Sequence, residues 1–180
     1  DDNAKILGLK VSTTANLGAY LSNFGPFVPT DAGVSMLVGC YAIPTAYVEV
    51  KGVFTNTAPV DAYRGAGRPE AIYAIERLLD VAAYDLGITP AEIRKRNFIS
   101  GSAMPFETVL GSNYDSGEFE KNLDDALEAA NWNDFESRRK KAKSNGKLLG
   151  IGLASYIERC GGGSPEQARL EVSKKGHVTL

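Results

Sequence analysis

Two arginines, two glycines and two prolines crowd into the stretch from Thr55 to Glu70, Thr-Asn-Thr-Ala-Pro-Val-Asp-Ala-Tyr-Arg-Gly-Ala-Gly-Arg-Pro-Glu. Such a composition suits a tight backbone path better than a packed core. Pro69 fits the first turn of a following helix, so the amides around Gly67 to Glu70 point outward at a helix N-terminus. That end attracts anions, and Arg64 and Arg68 flank it, although Glu70 competes for the same amides. The chemistry on offer is capture of an anionic or strongly polar ligand. An ordinary strand-to-helix turn carrying two solvated arginines accounts for the same spacing.

Other reactive groups are sparse. The sole histidine, His177, sits in a Lys-Lys-Gly-His turn and reads as an exposed turn residue, which leaves serine-histidine chemistry without a base and excludes a histidine-rich metal site. Asp124-Asp125 and Glu118-Glu120 suit a helix start better than a catalytic pair. Cys40 lies among apolar residues as a small core side chain. Cys160-Gly161-Gly162-Gly163 forms a second loop in which backbone could approach a ligand closely, or simply a flexible connection.

The elements that must position these loops follow from pattern. The 180 residues, 43% hydrophobic and 23% charged with a net charge of −2, suffice for a sizeable core and carry no nucleic-acid footprint. Two distant cysteines fit a reducing compartment, no run approaches the roughly 18 residues of a membrane span, and the cytoplasm is the expected location. The opening Asp1-Asp2 reads as the start of an excised piece of a longer chain. Residues 5 to 22 are expected to form a hairpin turning at Ser12 to Thr14, and Thr30-Asp31 to cap a short helix over 32 to 38. Residues 46 to 54 alternate as the strand that delivers the presenting loop.

Ile72, Ile75, Leu79, Ala82 and Leu86 recur at helical steps after Pro69, and Gly87 stops that helix. Thr89-Pro90-Ala91-Glu92 is a capping box for a second helix to about Asn97, with Arg94, Lys95 and Arg96 as its wet face. Helices are expected near 118–130 and 134–144, the latter a solvated basic face. An irregular stretch anchored by Phe106, Val109 and Leu110 precedes them. Leu148 to Glu158 reads as a buried strand, and 167–172 with 178–180 as a hairpin. The fold class is α+β: short mixed or antiparallel strands at both ends, packed by a central group of helices. The divisions are a strand-rich part at 1–62, a helical part at 68–144 and a truncated strand-rich part at 147–180.

The presenting loop resembles the active-site loop of the molybdenum hydroxylases, the large subunits of xanthine dehydrogenase, aldehyde oxidase and carbon monoxide dehydrogenase. Ala15-Asn16-Leu17-Gly18-Ala19-Tyr20, Cys40-Tyr41-Ala42-Ile43-Pro44 and Pro90-Ala91-Glu92-Ile93-Arg94-Lys95-Arg96-Asn97 are similar to that family in the expected order. The resemblance spans most of residues 4 to 180 and is nearest to the bacterial carbon monoxide dehydrogenase and aldehyde oxidase subunits. It implies an oxidoreductase whose molybdopterin, in a cytosine dinucleotide form, lies against Arg64, Gly65 and Ala66, with Ala66, Gly161 and Gly162 toward the substrate. It further implies iron–sulfur and FAD partner subunits. Gly65 stands where copper-dependent relatives carry a cysteine, so copper would lack its sulfur ligand. Ala66 replaces an aromatic and leaves room for substrate. The family's glutamate base and Gly-Gln-Gly segment fall beyond Leu180, so these 180 residues alone are expected to be inactive. The competing readings are a stand-alone module binding an anion or nucleotide without redox work, and a purely structural interaction domain.

Overall fold

A computed structural model describes residues 1–159 and 167–180. Its architecture is α+β, with three two-stranded sheets and four α-helices among the described residues. Strand β1 (Leu9–Asn16) pairs with β2 (Ala46–Val53), β3 (Phe106–Glu107) with β4 (Asn113–Tyr114), and β5 (Glu171–Val172) with β6 (Val178–Thr179). The helices are α1 (Arg68–Leu86), α2 (Pro90–Asn97), α3 (Phe119–Ala129) and α4 (Phe135–Ser144).

The β1–β2 pair is parallel, Leu9 opposite Ala46 through Asn16 opposite Val53, so the expected hairpin over 5 to 22 does not form. Parallel strands need a long connection, and residues 17–45 supply it. Within that crossover, Val28–Ala32 is a single π-helical turn and the predicted helix over 32–38 gives way to turns. Thr30 is not the expected cap: it lies inside that π-helical turn, whose N-cap position is Phe27, and its hydroxyl donates to the Pro26 carbonyl at 2.7 Å. The short β3–β4 pair lies in a stretch read as irregular. It is anchored by buried Tyr114, whose hydroxyl donates to the Gly39 carbonyl at 2.8 Å.

Helix α1 buries Ala71, Ile75, Leu79 and Ala83, one residue per turn, while Leu86 stays exposed. It ends at Gly87, which is left-handed at φ 66°. Thr89 caps α2 by accepting from the Glu92 N–H at 3.1 Å. The reciprocal half of the capping box is missing, because the Glu92 carboxylate turns to Arg96 one turn on. The core joins Val38, Cys40, Tyr41 and Ile43 to Ile75, Leu79, Ala83 and Ile93, so the crossover is clamped between α1 and α2. No described helix is long and apolar enough to cross a membrane.

Cys40 is 1% exposed, as expected of a small core residue. Burial, aided by the nearby Glu76 carboxylate, pushes its thiol from 9.0 up to about 12. The unfolded chain then loses this proton above pH 9 while the folded chain keeps it, so the contribution is whole below pH 9 and is lost as pH rises toward 12. Equilibrium unfolding of the full-length protein should show stability falling over that window, by at most about 4 kcal/mol at 1.36 kcal/mol per pKa unit. A Cys40→Ala variant should show a shallower decline.

Two further expectations fail in the same neighbourhood. Leu148 to Glu158 is not a strand: it has no regular secondary structure, and only Leu153, Ser155 and Ile157 are partly sheltered, alternating with exposed neighbours. Arg94, placed on the wet face of α2, is 0% exposed. A charge with nowhere to snorkel must be met by protein groups.

Candidate functional site

Strand β2 delivers the arginine–glycine loop, and the crossover start holds its root. Leu17 N–H donates to the Val53 carbonyl at 2.9 Å, Thr55 N–H to Gly18 at 2.9 Å, and Ala19 N–H to Thr57 at 3.0 Å. The Asn16 side-chain oxygen accepts from both the Gly18 N–H and the Thr55 hydroxyl, at 2.8 and 2.6 Å. The loop then makes two consecutive tight turns. Ala66 N–H reaches back to the Tyr63 carbonyl at 2.8 Å, and Arg68 N–H to Gly65 at 2.9 Å.

These turns place Gly65 at φ +83° and Gly67 at +85°, conformations that favour glycine. Their surroundings differ. A Cβ on Gly67 would lie 2.6 Å from both the Gly33 nitrogen and the Val28 oxygen, so this glycine is pressed onto the crossover backbone. A Cβ on Gly65 would meet nothing nearer than 3.8 Å, leaving its backbone open to close approach. Arg64 is exposed and Gly65 and Ala66 are half-buried. The three predicted contact residues thus sit together at the crest of a loop whose base is rigidly seated.

Beside that base lies a cavity of about 450 Å³. Val60, Asp61, Gly67 and Glu70 border it from the loop, facing Val11 and Val28, while Arg64, Gly65 and Ala66 do not line it.

Arg68 is not the second solvated cation the sequence suggested. Its Nε lies 3.3 Å from Glu158 Oε1, yet without hydrogen-bond geometry, so Nε is buried with no hydrogen-bond partner among the described residues. Glu158 Oε2 also lies 4.0 Å from the position of a Gly65 Cβ. The segment leading to the second predicted loop therefore arrives at the first. Gly161 and Gly162, with Cys160, lie outside the described residues.

Sequence reasoning missed Glu76, Arg94 and Glu158. The Arg94 Nε donates to Glu76 Oε2 at 2.8 Å, Nη1 to the Pro90 carbonyl at 2.8 Å, and Nη2 to Asp80 Oδ1 at 2.9 Å and the Leu153 carbonyl at 3.2 Å. Glu76 also accepts from the buried Tyr41 hydroxyl and, at 2.8 Å, from the Ser155 N–H. Burial would pull the Arg94 guanidinium down, but the Glu76 charge and hydrogen bond outweigh it and hold it above its ordinary value. Tyr41 is raised by burial first, with Cys40 and Glu76 adding to it. The available signal was Glu76 itself, a carboxylate beside Ile75 and three residues before Leu79 on the apolar side of α1, which calls for a cation.

No group of three or more metal-binding side chains occurs among the described residues, and Cys40 is sealed in the core. The loop suits a polar organic group better than a naked ion. An open glycine backbone and an exposed guanidinium together suit a flat, oxygen- and nitrogen-rich cofactor edge.

Comparison with known proteins points the same way. The chain is 39% identical over 166 residues to the carbon monoxide dehydrogenase large chain of Hydrogenophaga pseudoflava, covering 89% of this chain and 21% of that one. It is 34% identical over 185 residues to the 6-hydroxypseudooxynicotine dehydrogenase complex subunit gamma of Paenarthrobacter nicotinovorans, covering 100% and 23%. Among solved structures, the quinoline 2-oxidoreductase of Pseudomonas putida 86 matches at TM-score 0.74 and 31% identity over 81% of this chain and 19% of that chain. The chain spans between a fifth and a quarter of the length of these curated relatives. The model of the molybdopterin cofactor-binding domain matches residues 1–98, which include β1, the crossover, the arginine–glycine loop and both helices that seat it, and the chain belongs to that family.

Proposed function

We propose that this chain is part of the molybdopterin-binding domain of the large subunit of a bacterial molybdenum hydroxylase of the carbon monoxide dehydrogenase/aldehyde oxidase-like kind. The observation that carries the reading is the loop crest, where Gly65 leaves its backbone open beside exposed Arg64 while Gly67 locks the base. Arg64 and the backbone of Gly65 and Ala66 hold the polar edge of the cofactor, and Ala66 with Gly161 and Gly162 borders the substrate. The cofactor supplies two-electron oxidation with water as oxygen source; the chain supplies position and hydrogen bonds. The dinucleotide form is cytosine, and electrons leave through iron–sulfur and FAD subunits in the cytoplasm. The 180 residues alone are inactive, since they supply one wall of the site. Gly65 offers copper no sulfur, so the oxidation does not depend on copper.

A stand-alone anion module gains nothing from the geometry, because Arg68 is engaged with Glu158 and Glu70 faces the neighbouring cavity. Elemental and pterin analysis of the purified full-length subunit tests the proposal. The expected result is molybdenum near one per chain and copper near zero. An Arg64→Ala variant should retain pterin about 10- to 100-fold more weakly, the loss of one charge-assisted hydrogen bond of about 1.5–3 kcal/mol. A full-length protein free of molybdenum, or an Arg64→Ala variant that keeps its pterin fully, would overturn it.

A further inference from the structure

From Leu153 to Glu158 the chain is tied first to α2 and then to α1. The Leu153 carbonyl accepts from Arg94, and the Ser155 N–H donates to Glu76 at 2.8 Å. The Ser155 carbonyl takes the Cys40 thiol at 3.6 Å. Ile157 packs against Met36, Leu37 and Ala71, and Glu158 meets Arg68. The anchors on α1 step back from Glu76 through Ala71 to Arg68.

The two spacings agree. The eight-residue step from Arg68 to Glu76 rises about 12 Å along the helix, and the three steps from Ser155 to Glu158 cover about 10 Å of extended chain. Residues 155–158, running antiparallel to α1, therefore keep pace with the helix from Glu76 to Arg68. The register is set at one end by buried groups that cannot shift without stranding a charge. At the other end it delivers a carboxylate to Arg68, the residue whose N–H closes the turn over Gly65.

We infer that Glu158 is a positioning residue: with Arg68 it braces the Arg64–Ala66 turn, and the buried Arg94–Glu76 network fixes where Glu158 stands. The role toward the cofactor rests on the reading proposed above, whereas the brace itself does not need the cofactor.

Trypsin separates the two. In cofactor-free full-length protein the Arg64–Gly65 bond is a cleavage site, while Arg68–Pro69 resists because proline follows. Glu158→Gln should accelerate cleavage after Arg64 about tenfold while leaving cleavage in the basic helix α4 and the melting temperature unchanged. Arg68→Met should act alike, and the double variant should be no faster than either single one, the mark of a shared interaction. Glu158→Asp should restore part of the protection. Wild-type cleavage at Arg64 in Glu158→Gln, equal acceleration in α4, or additive single effects would overturn the brace. In loaded protein the brace further predicts faster pterin release and an altered Mo(V) resonance in Glu158→Gln. If Arg64→Ala releases no pterin but the cleavage result holds, the cofactor reading fails and the brace stands.

Discussion

Replacing Arg94 by methionine lowers the unfolding free energy of the full-length protein by about 3–5 kcal/mol, the range for removing one partner of a buried ion pair. Methionine keeps the bulk of the stem, so packing changes little. What changes is charge: Glu76, 5% exposed, is left with the Tyr41 hydroxyl and the Ser155 N–H but no cation. The carbonyls of Pro90 and Leu153 lose their donors as well. Denaturant titration should report the loss as an earlier midpoint at unchanged slope. The decisive comparison is the double variant Arg94→Met/Glu76→Leu, which should recover most of the loss because the stranded carboxylate is gone. A double variant as unstable as Arg94→Met alone would mean that the guanidinium serves by shape and hydrogen bonding to carbonyls, not by neutralising Glu76.

Alanine at Gly67 should cost about 3 kcal/mol or more, from two causes that cannot both be relieved. Left-handed backbone costs a residue with a Cβ roughly 1–2 kcal/mol. The new methyl would also press to 2.6 Å against the Gly33 nitrogen and the Val28 oxygen, backbone atoms with no side-chain rotamer to escape through. Gly87→Ala is the internal control. That position is left-handed at φ +66° but has nothing within 4 Å of the added methyl, so it should cost only about 1 kcal/mol. Parallel thermal melts of the two variants decide the matter, and equal losses would show that the loop base does not depend on the crossover contact. Gly65→Ala should resemble Gly87→Ala in stability, since its nearest contacts are at 3.8 Å.

Much of the candidate site was legible because its signals are local. Gly67, Pro69 and the alternating strand before them announce a turn into a helix within a few residues. Thr89, Pro90 and Gly87 likewise mark their own boundaries through caps made by immediate neighbours. The resemblance to the molybdenum hydroxylases was carried by the same short stretches. Glu158 was not legible as a partner of Arg68, because an acidic residue ninety positions away gives no local sign of its use.

Arg94 shows the limit most plainly. Flanked by Lys95 and Arg96 on a short helix, it reads as one more solvated cation, and nothing within a helical turn distinguishes it. Only the packing of α2 on α1 brings Glu76 and Asp80 to it and closes off water. The partner of β1 was likewise misassigned to a hairpin within residues 5 to 22, since alternation states which face is buried but not which strand lies alongside.

By itself the sequence determined helices α1 to α4, their ends, the turn chemistry of the arginine–glycine loop and the family, each encoded in residues close along the chain. Tertiary structure alone decided the parallel pairing of β1 with β2, the burial of Arg94 and the course of residues 155–158 along α1. Those depend on which distant groups meet once water is excluded, a property of the folded arrangement and of no single stretch of chain.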